Sequence, residues 1–126
     1  VDAVLTFRNL HKWLGSQMDL IFSNSYTALK SGGIFGIVEH RANAGASLDE
    51  MKKSGYVTEE HAIEIAKKHG FTFIAKSEVN ANPKDTKDYS GGVWTLPPSL
   101  RLKEVDRDKY LSIGESDRMT LLFKKL

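Results

Sequence analysis

Apolar residues fall along this chain in two rhythms. Val1 to Phe7 and Ile34 to Val38 are short, nearly continuous apolar runs rich in β-branched and aromatic residues, the mark of buried strands. Between them Met18, Ile21, Phe22, Ser25 and Leu29 recur at helical spacing, so the first forty residues predict strand, helix, strand. Strands joined in this way lie parallel, with a right-handed crossover. Ser31-Gly32-Gly33 supplies the left-handed geometry that stops a helix, which places its end near Lys30.

After Glu39 the rhythm breaks. Arg41 to Ser47 is small and polar without period and predicts a mobile loop, and the charged piece Asp49 to Lys53 allows one helical turn. Thr58 is a good N-cap, followed by Glu59 and Glu60 at the positive end of the helix dipole; Lys67, Lys68 and His69 precede Gly70 at the other end. A second helix is expected there, with Ala62, Ile65, Ala66 and His69 on one face. Phe71 to Val79 and Arg118 to Lys124 alternate as strands and are expected to be antiparallel neighbours at a sheet edge. Roughly 38 residues separate them, far more than the usual connection of about 4–6, so residues 80–117 read as a lid or binding loop.

Size and charge narrow the possibilities. At 126 residues and 40% hydrophobic the chain can bury one modest core, so residues 1–126 are read as one domain or part of one. The net charge of +2, from 18 basic and 16 acidic side chains spread along the whole sequence, gives no footprint for a phosphate backbone, and nucleic acid is not expected as the ligand. The absence of cysteine removes disulfides, thiolate metal sites and a Cys nucleophile. No run approaches the ~20 apolar residues of a membrane span and no secretory pattern is present, so cytoplasm is the default expectation.

In open α/β sheets, ligands bind beyond the carboxyl ends of the strands. Those ends here carry Arg8, Asn9, His11 and Trp13 after the first strand, and Glu39, His40 and Arg41 after the second. Asn9 can donate and accept, and Arg8 can clamp a carboxylate or simply pair with an acid at the surface. Trp13 can stack on a ring or plug the core. Tyr89 and Trp94 in the long loop suit an apolar pocket wall or a dimer contact, with Pro97-Pro98 stiffening the segment. His11, Glu39 and His40 could converge on a metal, but no helical i, i+4 histidine pair exists and His61 lies too far from His69 to share an ion, so no metal is expected.

The run Phe7-Arg8-Asn9-Leu10-His11-Lys12-Trp13, the helix end Ala28-Leu29-Lys30-Ser31-Gly32-Gly33 and the strand end Ile37-Val38-Glu39-His40 resemble the "LHDW … LKPGG … VEH" run of the O-methyltransferase group. Val93-Trp94-Thr95-Leu96-Pro97-Pro98 and Gly114 to Thr120 resemble a group of bacterial predicted methyltransferases. The resemblance implies the class I S-adenosylmethionine-dependent methyltransferase fold, a three-layer Rossmann-like α/β architecture. This chain would represent its C-terminal half, strands four to seven, with a parallel sheet and a final antiparallel strand.

It further implies His11 as general base, with Glu39 orienting it, Phe7, Arg8 and Asn9 near the cofactor, and Trp13, His40, Arg41, Tyr89 and Trp94 around a small-molecule acceptor. Lys12 departs from the pattern, standing where the family has Asp. The glycine-rich turn that holds most of the cofactor in that family has no counterpart, since Gly32-Gly33 precedes its strand rather than following it. S-adenosylmethionine affinity is therefore expected only with a complementing N-terminal half. The alternative from a different class is a non-catalytic association module that dimerises through its exposed first strand.

Overall fold

In the computed structural model, which describes residues 1–126, the first strand β1 (Ala3–Phe7) pairs in parallel with β2 (Ile34–His40), in register from Ala3 opposite Ile34 to Phe7 opposite Val38. Helix α1 (Ser16–Ala28) makes the crossover. It ends two residues before Lys30, because Leu29 is already extended and the Lys30 N–H donates to the Val1 carbonyl. Helix α2 (Leu48–Ser54) runs beyond the single turn expected, capped at its start by the Ser47 hydroxyl and closed by Gly55 in the left-handed region. Helix α3 (Glu59–Lys68) starts at the Thr58 cap, whose hydroxyl accepts from the His61 N–H.

Strand β3 (Thr72–Ser77) and the last strand, β4 (Arg118–Lys124), are antiparallel neighbours. The sheet order is β1-β2-β4-β3, so β4 inserts between β2 and β3 and, of the antiparallel pair expected at an edge, β3 alone lies there; β1 forms the other border. β1, β2 and β3 share a direction, and β4 opposes it. The strand at the far end of the sequence is therefore central in space.

One face of the sheet carries the core. Phe35 and Ile37 of β2 and Met119, Leu121 and Phe123 of β4 alternate inward and meet Met18, Phe22 and Leu29 from the α1 side and Ala62, Ala66 and Phe71 from the α3 side. The ring of Phe22 stands edge-on to Phe35, with centroids 5.1 Å apart. The opposite face has no packed helical layer, so the expected three layers reduce to two. Leu5 is 58% exposed there and Phe7 57%; the remaining helices, α2 and α4 (Arg107–Ile113), are only 7 residues each and belong to loops. No helix is long and apolar enough to cross a membrane.

Residues 80–117 are a structured excursion, with a 3₁₀ turn (Gly92–Thr95) and α4 inside it. The Asp85 carboxylate ties it down, accepting from the Tyr56 hydroxyl at 2.9 and 3.0 Å, the Asp117 N–H at 2.9 Å and the Lys87 N–H at 3.0 Å. Burial beside this carboxylate pushes the Tyr56 hydroxyl well above its ordinary pKa.

Candidate functional site

The site is assembled where β1 and β2 end. After Phe7 the Arg8 N–H still donates to the Val38 carbonyl, but Arg8 takes a left-handed φ of 57°, which breaks the strand and turns the chain into a 3₁₀ turn, Leu10–Lys12. Leu10 is fully buried beneath this turn and fixes it to the core. His11 is thereby laid over the end of β2.

There it meets Glu39, whose side chain is completely buried. The carboxylate accepts three N–H donors. His11 donates its main-chain N–H at 2.8 Å, His40 donates its own at 2.8 Å, and the His11 ring lies with Nδ1 at 3.0 and 3.1 Å from the two oxygens. A carboxylate can only accept, so Nδ1 carries a proton, and in the neutral ring Nε2 keeps its lone pair. Nε2 has no protein partner and is not sealed from solvent. It opens into a cleft of about 340 Å³ lined by Phe7, Arg8, Asn9, Lys12, His40 and Trp94, together with Pro97, Pro98, Glu115 and Ser116.

His40 stands beside His11 with ring centroids 5.4 Å apart, and its Nδ1 is hydrogen-bonded to Ser116 Oγ. Burial pulls its pKa down to about 4; Glu39 opposes that shift, and His11, Arg118 and Arg8 reinforce it. His40 is accordingly a neutral hydrogen-bonding group at physiological pH. The Trp94 ring meets His11 edge-on at 6.1 Å. Its approach depends on glycine: a Cβ on Gly55, at φ +77°, would lie 2.9 Å from the indole, and one on Gly92, at φ +71°, would lie 2.6 Å from the Ser54 carbonyl.

Of the sequence candidates, Phe7, Arg8, Asn9, His11, His40 and Trp94 line this cleft, with Glu39 directly behind His11. Trp13, Arg41 and Tyr89 do not. Trp13 packs against the main core. The Arg41 guanidinium is consumed by an ion cluster, giving two bonds of 2.9 Å to Asp117 and one each to Glu59 and Glu78. Tyr89 turns toward Tyr110 and the Thr86 N–H. Ser116 and Glu115 join the cleft through contacts with His40 and Arg8 that cross most of the chain, so the Gly114 to Thr120 segment carries no spacing signal that places them there.

A ring nitrogen of each histidine and a Glu39 oxygen fall within 4.8 Å of one another, a grouping of metal-ligand type. Both oxygens already accept N–H donors, so an ion reaching Glu39 would compete with those bonds.

No family model and no curated protein match the chain. Solved structures do. The [4+2]-cyclase SpnF superposes with a TM-score of 0.59 at 16% identity, over 98% of this chain and 49% of that one. A protein assigned as an S-adenosylmethionine-dependent methyltransferase from Listeria monocytogenes superposes with a TM-score of 0.53 at 17% identity, over 99% of this chain and 61% of that one. The chain thus spans between about half and three fifths of these neighbours. It has a methyltransferase-like fold.

Proposed function

We propose that this chain is the acceptor-side, C-terminal part of an S-adenosylmethionine-dependent methyltransferase, equivalent to strands four to seven of that fold, and that it O-methylates a small molecule. The observation that carries this reading is the buried Glu39 carboxylate locked to His11 Nδ1 while Nε2 opens to the cleft. S-adenosylmethionine, when bound, supplies an electrophilic methyl on a sulfonium that leaves as a neutral thioether. The residues here fit the acceptor and one flank of that cofactor: Phe7 and Asn9 line the cleft, but neither β1 nor β2 runs through a glycine-rich turn into a helix. The rest of the cofactor contacts belong to a complementing half, which the exposed border of β1 would receive.

In this reading the acceptor hydroxyl donates to His11 Nε2. As its oxygen forms the new C–O bond, the proton passes to Nε2, and Glu39 stabilises the resulting imidazolium. The test is transfer of labelled methyl to hydroxylated small molecules by a protein uniting this chain with the cofactor-binding half. His11→Ala should lower kcat by about 10²–10⁴ with cofactor KM little changed; wild-type turnover by that variant would contradict the assignment.

A second reading rests on the β1 border, where Leu5 and Phe7 lie exposed beside unpaired strand backbone. Such an edge can pair with a second copy. Light scattering separates the two: a stable dimer disrupted by charged substitution at Leu5 favours association, and a monomer removes it.

A further inference from the structure

We propose that His40 and Ser116 form a second reading point in the cleft, which selects acceptors that carry an oxygen on the atom next to the hydroxyl to be methylated. This inference rests on the acceptor role proposed for the cleft.

The His40 ring is tethered rather than loose. Its Nδ1 is bonded to Ser116 Oγ, and Ser116 is itself 4% exposed. Ser116 cannot drift, because the next residue is clamped: Asp117 accepts the twin bonds of Arg41 and the Lys87 ammonium at 2.6 Å, and gives its N–H to Asp85. A carbonyl contact adds to this, with the Arg41 N–H donating to the Asp117 carbonyl at 2.9 Å. The long loop thereby places a hydroxyl against the end of β2 and fixes where His40 Nε2 lies.

That nitrogen has no protein partner, is not sealed from solvent, and belongs to a residue that lines the same cleft as His11. The two rings are neighbours, 5.4 Å between centroids and tilted by 48°. In the proposed arrangement they have opposite polarity. Glu39 accepts from His11 Nδ1, so the Nε2 of the neutral ring accepts; the Ser116 hydroxyl donates to His40 Nδ1, which puts the His40 proton on Nε2, and that nitrogen donates. One acceptor nitrogen beside one donor nitrogen matches a hydroxyl beside a second oxygen. Trp94, Val93, Pro97 and Pro98 supply an apolar wall suited to a flat ring bearing that pair.

The test uses the 126-residue chain and two isomeric probes, ortho-dihydroxybenzene and its para isomer, with binding followed through the ring-proton NMR signals of His11 and His40. The ortho isomer should bind about two- to ten-fold tighter, the difference expected of one added hydrogen bond. His40→Ala and, independently, Ser116→Ala should erase the preference, bringing the ortho isomer's affinity to that of the para isomer in the same variant. Equal binding of the two isomers by the wild type, no binding of either, or a preference that survives both substitutions would overturn the proposal. Isomer preference in a protein whose His11→Ala variant still transfers methyl would leave the reading point standing and remove the base.

Discussion

At the residue scale, the cleft holds two histidines in different surroundings. His11 is bonded to a buried carboxylate; His40 is bonded to a neutral hydroxyl and, through burial, has its pKa lowered to about 4. That second fact has a sign in stability. In the unfolded chain His40 takes up a proton near pH 6.5, while in the fold it resists until about 4, so the unfolded state binds more protons in that window. Stability is full above pH 6.5 and is lost as the pH falls toward 4, by up to roughly 3 kcal/mol. Urea titrations across this range should show the loss in the wild type and a clearly smaller one in His40→Gln; parallel curves would contradict it. Asp117, held at about 2 by Arg41 and Lys87 against the opposing effect of burial, titrates below this window. The His11 and Glu39 pair was legible in sequence because strand ends in such sheets converge. The His40 partner was not, being a hydroxyl 76 residues away.

At the element scale, the long excursion is held by a few polar anchors beside a small apolar cluster of Ala42, Tyr56 and Val93. Tyr56, at the start of the loop that follows α2, reaches Asp85; Asn82 donates its side-chain amide to the carbonyls of Ile113 at 2.7 Å and Glu115 at 2.8 Å. Removing the Tyr56 hydroxyl leaves a buried carboxylate one donor short, a cost of about 1–3 kcal/mol. Tyr56→Phe should therefore raise hydrogen exchange across residues 80–117 and leave the central amides of β2 and β4 protected; uniform protection throughout would show that the anchor is idle. Local signals found the strands and α3 because their caps and alternation are local. They missed α4 and the central place of β4, since a seven-residue helix with only Tyr110 buried has no apolar stripe, and strand order is decided by pairing across the chain. Arg41 was drawn away from the cleft for the same reason: its carboxylate partners, Glu59, Glu78 and Asp117, are remote in sequence.

At the scale of the whole molecule, a methyltransferase-like sheet carries helices on one face and presents β1 at its border, beside a cleft lined by His11 and His40. With no glycine-rich turn to cradle S-adenosylmethionine, calorimetric titration of this chain alone should give binding weaker than micromolar; micromolar affinity would show that the cleft holds the cofactor unaided. The proposed reaction rests on one physical arrangement, a buried carboxylate that keeps the His11 proton on Nδ1 so that Nε2 is a base facing the cleft. The ring-nitrogen NMR spectrum of His11 in the labelled protein tests it most directly. The neutral ring should be the Nδ1–H tautomer in the wild type and lose that preference in Glu39→Gln; an Nε2–H tautomer in the wild type would contradict the account.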